Sequence, residues 1–151
     1  MVIIMHKIIE NEPDGIVFDY RNEQYKYSFQ YNAVGLSSIQ TDDPPSPLHG
    51  IMLEYKNGEI ISALAEYITI YLDNGSSEDI FLLDKYVSQC ERRSVDSVFT
   101  SYHRCDGKVI AYMKRTVDKS DILYKVEYSL VDGANMESFV NILKSFQIMG
   151  R

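Results

Sequence analysis

The stretch VFTSYHRCDGKVIAYMKRTVDKSDILYKVEYSL, Val98 to Leu130, decides the reading of the fold. Two short polar breaks divide it into three runs. Asp106-Gly107 separates a strand expected over Val98 to Arg104 from another over Lys108 to Val117, and the pair suits a type I′ hairpin turn, whose two central residues need positive φ. Asp118 to Asp121 makes a second polar turn into a strand from Ile122 to Val131. In that last strand Ile122, Tyr124, Val126, Tyr128 and Leu130 share one face, while Lys125, Glu127 and Ser129 lie opposite. A period of two with one apolar side is the pattern of a half-buried strand, so the three runs read as an antiparallel meander with one face in the core.

Working outward toward the C-terminus, Asp132-Gly133 ends the meander and Asn135 can cap a helix over about 135–147. Met136, Phe139, Val140, Leu143 and Phe146 follow helical spacing there, and Glu137 sits in the first turn, where the helix dipole favours an acid. Toward the N-terminus, Ser76 or Ser77 caps a helix over about 77–93. Ile80, Leu83, Val87 and Cys90 form its apolar face, with Arg92 and Arg93 near its partially negative end.

The first half is strand and turn. Tyr67 to Asp73 alternates β-branched and aromatic residues, so 60–73 is expected as one long strand, although Ile61, Leu64, Ala65 and Ile68 also fit a helical face. Asn57-Gly58 joins it to a strand at Ile51 to Tyr55. Gly15 to Tyr20 and Tyr25 to Tyr31 form a hairpin through residues 21–24, with Tyr25, Tyr27, Phe29 and Tyr31 on one face. Val2 to Met5 is expected as the first strand. Thr41 to Gly50, TDDPPSPLHG, holds three of the four prolines and reads as a surface loop. Runs of strands with helices between and after them, without strict alternation, predict a single α+β domain over 1–151. It is expected as a mainly antiparallel sheet of six to seven strands packed with two helices.

The order helix, three-stranded meander and C-terminal helix, with the ending YKVEYSLVDGANMESFVNILKSFQI, resembles the PsbP-like superfamily, which includes photosystem PsbP, the nuclear Ran-binding release factor and bacterial DcrB-like proteins. Tyr124 to Leu130 is similar to the family's last strand, and Ile142, Leu143, Ser145 and Phe146 to its closing helix. The resemblance covers about residues 76 to 148 and is one of topology. The first half departs from it, since DcrB-like members carry an early tryptophan and this chain has none. The resemblance implies a PsbP-like sandwich and a binding or assembly-assisting protein that is not an enzyme, and it transfers no site residue.

Composition narrows the function. With 15 basic and 22 acidic residues the net charge is −7, and 45% of the 151 residues are apolar, enough for a core without stapling by disulfide or metal. Residues 1–75 carry 11 acids against four bases (Lys7, Arg21, Lys26, Lys56), so the whole negative excess lies in the first half. Such a surface repels phosphate backbones and anionic lipids, which argues against nucleic-acid and membrane roles and favours a basic protein partner. No apolar run approaches the roughly 20 residues a membrane span needs. The N-terminus lacks the basic start and small-residue cleavage pattern of a signal peptide. Cys90 and Cys105 could pair, but without an export signal they are expected as free thiols in the cytoplasm.

Motifs for chemistry are sparse. His103 and Cys105, two apart on one strand beside Asp106, could support a thiol enzyme or redox sensor, because a neighbouring imidazole can generate thiolate. His6, His49, His103 and the cysteines lack metal-ligand spacing, and Asp42-Asp43 lacks a calcium-loop pattern, so no metal or other cofactor is expected. Nucleotide-binding and nucleophilic-serine motifs are also missing. The expectation is an acidic, non-enzymatic, cytoplasmic protein-binding module of adaptor, secretion-chaperone or immunity type. Its candidate binding residues are Tyr25, Tyr27 and Tyr31 with Asp42, Asp43, Pro44 and Pro45 of the loop. A thiol site at His103 and Cys105 is the alternative, and a structural component that forms a homodimer through an exposed sheet face or edge is the third reading, so a monomer or homodimer is expected.

Overall fold

The computed structural model describes residues 17–41, 50–56, 58–67, 78–129 and 136–149. The elements run β1 (Val17–Asn22), β2 (Tyr27–Asn32), β3 (Leu36–Thr41), β4 (Gly50–Tyr55), β5 (Ile60–Tyr67), α1 (Glu78–Val87), β6 (Glu91–Ser94), β7 (Ser101–Cys105), β8 (Lys108–Val117), β9 (Ser120–Ser129), α2 (Glu137–Ser145) and β10 (Gln147–Ile148). The strands form two sheets, one of seven in the order β3-β4-β5-β9-β8-β7-β6 and one of three in the order β1-β2-β10. The strand pairings among the described residues are antiparallel, so the architecture is the expected α+β sandwich.

The meander stands where the sequence places it, and β9 lies at the centre of the large sheet between β5 and β8. Its alternation sorts the two faces. Ile122, Tyr124, Val126 and Tyr128 are buried on the inner face, beside Val109 and Ala111 of β8 and Ile61, Ala63 and Ala65 of β5. The turns differ from expectation in detail. At Asp106-Gly107 only the glycine has positive φ, at 80°, as a type II turn needs. Asp118 and Lys119 instead take positive φ of 51° and 69°, the requirement of a type I′ loop.

The small sheet and α2 cover the inner face. Tyr20, Tyr27, Phe29 and Tyr31 of the first hairpin are buried with Phe139, Ile142 and Leu143 of α2 and Phe146 just beyond it. The Phe146 ring stacks on Tyr27 at 5.3 Å and meets Phe99 at 4.8 Å. A Cβ on Gly50 would run into the Ala63 carbonyl oxygen and come within 2.5 Å of the Tyr27 hydroxyl, so β4 approaches this layer only through a residue without a side chain.

Several expectations are corrected. The first helix ends at Val87 rather than 93, because Glu91–Ser94 pairs with β7 as an edge strand; Arg92 and Arg93 therefore lie on that strand and not at a helix end. Strands β3, β6 and β10 were not expected. β3 and β6 are edges with exposed side chains and lack an apolar face, and β10 has only two residues. The hairpin turn falls at residues 23–26 with Lys26 at positive φ, two residues later than the spacing predicts. The N-cap of α2 is Met136, with no side-chain capping bond. The first strand, the Pro-rich loop at 42–49, residues 68–77 with the Ser76 and Ser77 caps, Asn57 and Asn135 lie outside the described residues.

Candidate functional site

Among the described residues, the outer face of the large sheet is the less completely covered one. Strand alternation turns Lys108, Ile110 and Tyr112 of β8, Leu123, Lys125 and Glu127 of β9, His103 and Cys105 of β7 and Arg92 of β6 to this side. Helix α1 lies over it. Between helix and sheet runs an open groove of about 340 Å³, lined by Leu82, Leu83 and Tyr86 above and by Lys108, Ile110, Leu123, Lys125 and Glu127 below. Ile110 and Leu123 are 1% and 3% exposed, whereas Leu82 and Tyr86 are 53% and 41% exposed. Two large apolar side chains open to water beside an apolar floor are the geometry of a binding surface.

Charge sits at the rim. Lys125 Nζ lies 3.3 Å from Glu127 Oε1. Lys108 Nζ stands 5.2 Å from the centre of the Tyr86 ring, a cation–π contact. The Tyr112 hydroxyl donates to Asp84 Oδ1 at 2.6 Å and so links sheet to helix. Burial, with Asp84 accepting that hydrogen bond, pushes the Tyr112 hydroxyl well up. The His103 ring stacks on Tyr112 at 5.8 Å between centroids. Its Nδ1 is buried without a hydrogen-bond partner among the described residues. Burial and the neighbouring Arg92 lower its pKa, opposed by Asp84, so the neutral ring is favoured.

At the end of this face Cys90 and Cys105 are joined in a disulfide, with Cα atoms 4.7 Å apart. This overturns the expectation of free thiols. His103 and Cys105 do share a face, but Cys105 has no thiol to ionise, so the thiol-enzyme reading has no nucleophile here.

The tyrosine row is also relocated. Tyr25, Tyr27 and Tyr31 are almost fully buried, so they form core rather than a binding face. The Tyr25 carbonyl accepts from the Tyr124 hydroxyl at 2.6 Å, and the Tyr27 hydroxyl donates to the Ala63 carbonyl at 3.3 Å. Asp42, Asp43, Pro44 and Pro45 lie outside the described residues. Leu82 and Tyr86 escaped the sequence reading because they fall off the stripe of Ile80, Leu83 and Val87. Their spacing of four, together with Ile110 and Leu123 on the nominally polar side of the meander, is the signal that would have found them.

Two other hollows are structural. One of about 360 Å³ lies on the polar outer side of the small sheet, at Asp19, Arg21, Ser28, Gln30, Ser145 and Gln147. There the Ser145 hydroxyl accepts from the Gln30 amide at 2.9 Å and fastens α2 to β2. The other, of about 230 Å³, borders the buried Glu59, whose Oε2 accepts from the Tyr128 hydroxyl at 2.7 Å. Among the described residues no three His, Cys, Asp or Glu side chains converge as a metal site requires, and no helix is long and apolar enough to cross a membrane.

No family model matches the sequence, and no curated protein matches it. A solved structure similar to it is the solution structure of cyanobacterial PsbP (CyanoP) from Synechocystis sp. PCC 6803, at 15% identity and a TM-score of 0.44, covering 93% of this chain and 98% of that one. It belongs to the superfamily that the second half resembles. A likeness at that level concerns the path of the chain and says nothing of activity.

Proposed function

We propose that this protein is a non-enzymatic protein-interaction module whose groove beneath α1 takes an apolar segment of a partner that also bears a carboxylate. The observation that carries the reading is the pair of exposed side chains Leu82 and Tyr86 standing over the buried Ile110 and Leu123. Such a pair gains contact area when a partner covers it, and tyrosine loses little side-chain freedom in doing so. The carboxylate is called for by Lys108 at the rim, where Lys125 already has Glu127 beside it.

Selection of displayed peptides against the protein tests this. The expected consensus combines aliphatic or aromatic residues with Asp or Glu, and Leu82→Asp weakens binding at least about tenfold, or ~1.4 kcal/mol. Peptides that bind the Leu82→Asp protein as well as the original would overturn the reading.

A second contact is favoured by the charge asymmetry of the chain. Of the 11 acids in residues 1–75, six lie outside the described residues with one base, Lys7, leaving five acids against three bases within them. Capture of a basic partner steered by these acids should fall as salt rises. The expectation of cytoplasmic residence rests on free thiols. The Cys90–Cys105 disulfide removes that ground, since lasting disulfides belong to oxidising compartments and open in reducing ones.

A further inference from the structure

We propose that the Cys90–Cys105 disulfide is a redox-sensitive clamp that holds α1 over the groove, so that its reduction frees the helix and uncovers Ile110 and Leu123. This rests on the reading of the groove as the interaction surface and names its regulation.

Three observations support the clamp. First, few of the described side chains of α1 are buried. Of its side chains described, Val87 alone is buried, Ile80 and Leu83 are half-buried, and Leu82, Asp84, Lys85 and Tyr86 face solvent. Second, the Tyr112–Asp84 hydrogen bond and the Lys108–Tyr86 cation–π contact, which tie the body of the helix to the sheet, are both near the surface. Third, the disulfide stands where it can stop the helix from leaving. Cys90 follows the last helical turn, Cys105 ends β7, and Lys108, which faces Tyr86, is the register partner of Cys105. The strand that follows the helix, β6, pairs with β7 from Glu91 to Ser94, so the chain beyond Cys90 stays on the sheet while the helix before it opens.

The chemistry balances with a dithiol as the reductant. Its thiolate attacks one sulfur of the Cys90–Cys105 bond, giving a mixed disulfide and releasing the other cysteine as thiolate, which takes up a proton. The second thiol of the reductant then displaces the remaining cysteine. The protein gains two thiols, the reductant becomes a disulfide, and two electrons pass to the protein. With the covalent tie gone, the ties from the described side chains of α1 to the sheet include the Tyr112–Asp84 hydrogen bond, the Lys108–Tyr86 contact and the packing of Val87. Segments with so few buried contacts open locally, ahead of the fold as a whole.

Amide hydrogen exchange on the full chain, oxidised and then in excess dithiothreitol, tests the clamp without any partner. The expected result is that amides of residues 82–87 lose at least about tenfold more protection than those of β9 on reduction. Equal loss in α1 and β9, or no loss in α1, overturns the proposal, and so does a disulfide that stays closed in the dithiol. The double variant Cys90→Ser, Cys105→Ser should reproduce the reduced pattern without reductant; should it fail to fold, reduced wild-type protein carries the measurement. Because this readout is confined to α1 amides, failure of the peptide selection leaves it intact, and failure of the clamp leaves the groove as an unregulated surface.

Discussion

The two faces of the seven-stranded sheet are built from the same strands and covered by different means. On the inner face a three-stranded sheet and α2 bring Tyr20, Tyr27, Phe29, Tyr31, Phe139 and Phe146 against Tyr124, Val126 and Tyr128, and nearly all of that surface is removed from water. On the outer face a ten-residue helix buries Val87 and leaves Leu82 and Tyr86 open, with a covalent bond at its end. The inner layer is held by area, which no single contact controls. The outer layer is held by a few discrete ties, each of which can be cut. Stability is therefore expected to reside on one face, and adjustability on the other.

The strongest way to break this contrast is to hollow out the inner layer. Tyr27→Ala removes a fully buried ring that contacts Phe29, Tyr124 and Phe146, and should lower the free energy of unfolding by about 3–5 kcal/mol. Denaturant titration checks it, and a loss below ~1 kcal/mol would show that the aromatic layer is not the seat of stability.

pH probes both layers with opposite sign. Burial pushes the Tyr31 hydroxyl from 10.0 up to about 12 and raises Tyr27, Tyr55 and Tyr128 as well, so the fold keeps these phenols protonated. Their contribution is whole below the ordinary value of 10.0 and is lost as pH rises through the folded values. On the outer face, His103 is depressed below 6.5 by burial and Arg92, so stability there is whole above 6.5 and erodes as pH falls beneath it. Melting temperature followed with phenolate absorbance should show ionisation and unfolding together on the alkaline side. Titration of Tyr27, Tyr31, Tyr55 and Tyr128 near 10 in a still folded protein would contradict the inner-layer account.

The smallest expected effect sharpens the contrast from the other side. Tyr112→Phe removes the hydrogen bond to Asp84 and should cost about 1 kcal/mol. The loss should appear as faster hydrogen exchange in α1 while β9 is unchanged. A drop in protection across the whole sheet would mean that the helix belongs to the core after all.

Much of the fold was legible because the meander and α2 are amphipathic with one clear period each. Tyr124 to Tyr128 alternates without interruption, and Phe139, Leu143 and Phe146 repeat at helical spacing. What was missed lacks such a period. LSSIQT of β3 and ERRS of β6 are edges with little to bury, and their strand state comes from the neighbour to which they pair. The candidate site was less legible. The tyrosines singled out for binding are core because the small sheet turns them inward, and no local pattern separates a buried aromatic row from an exposed one. The groove needs residues 82 and 86 brought over residues 110 and 123, which tertiary structure alone does.

The pairing of β10 with β2 has a consequence for the order of folding. Gln147 lies opposite Ser28 and Ile148 opposite Tyr27, so the small sheet joins segments almost 120 residues apart, and Phe146 enters the ring cluster only when that join is made. Closing so long a loop makes the contact late, since its entropy must be overcome before the contact returns anything. During synthesis the first hairpin must wait, with its apolar side unshielded, until residues 146–148 have left the ribosome. In that interval the chain is at its most vulnerable to aggregation.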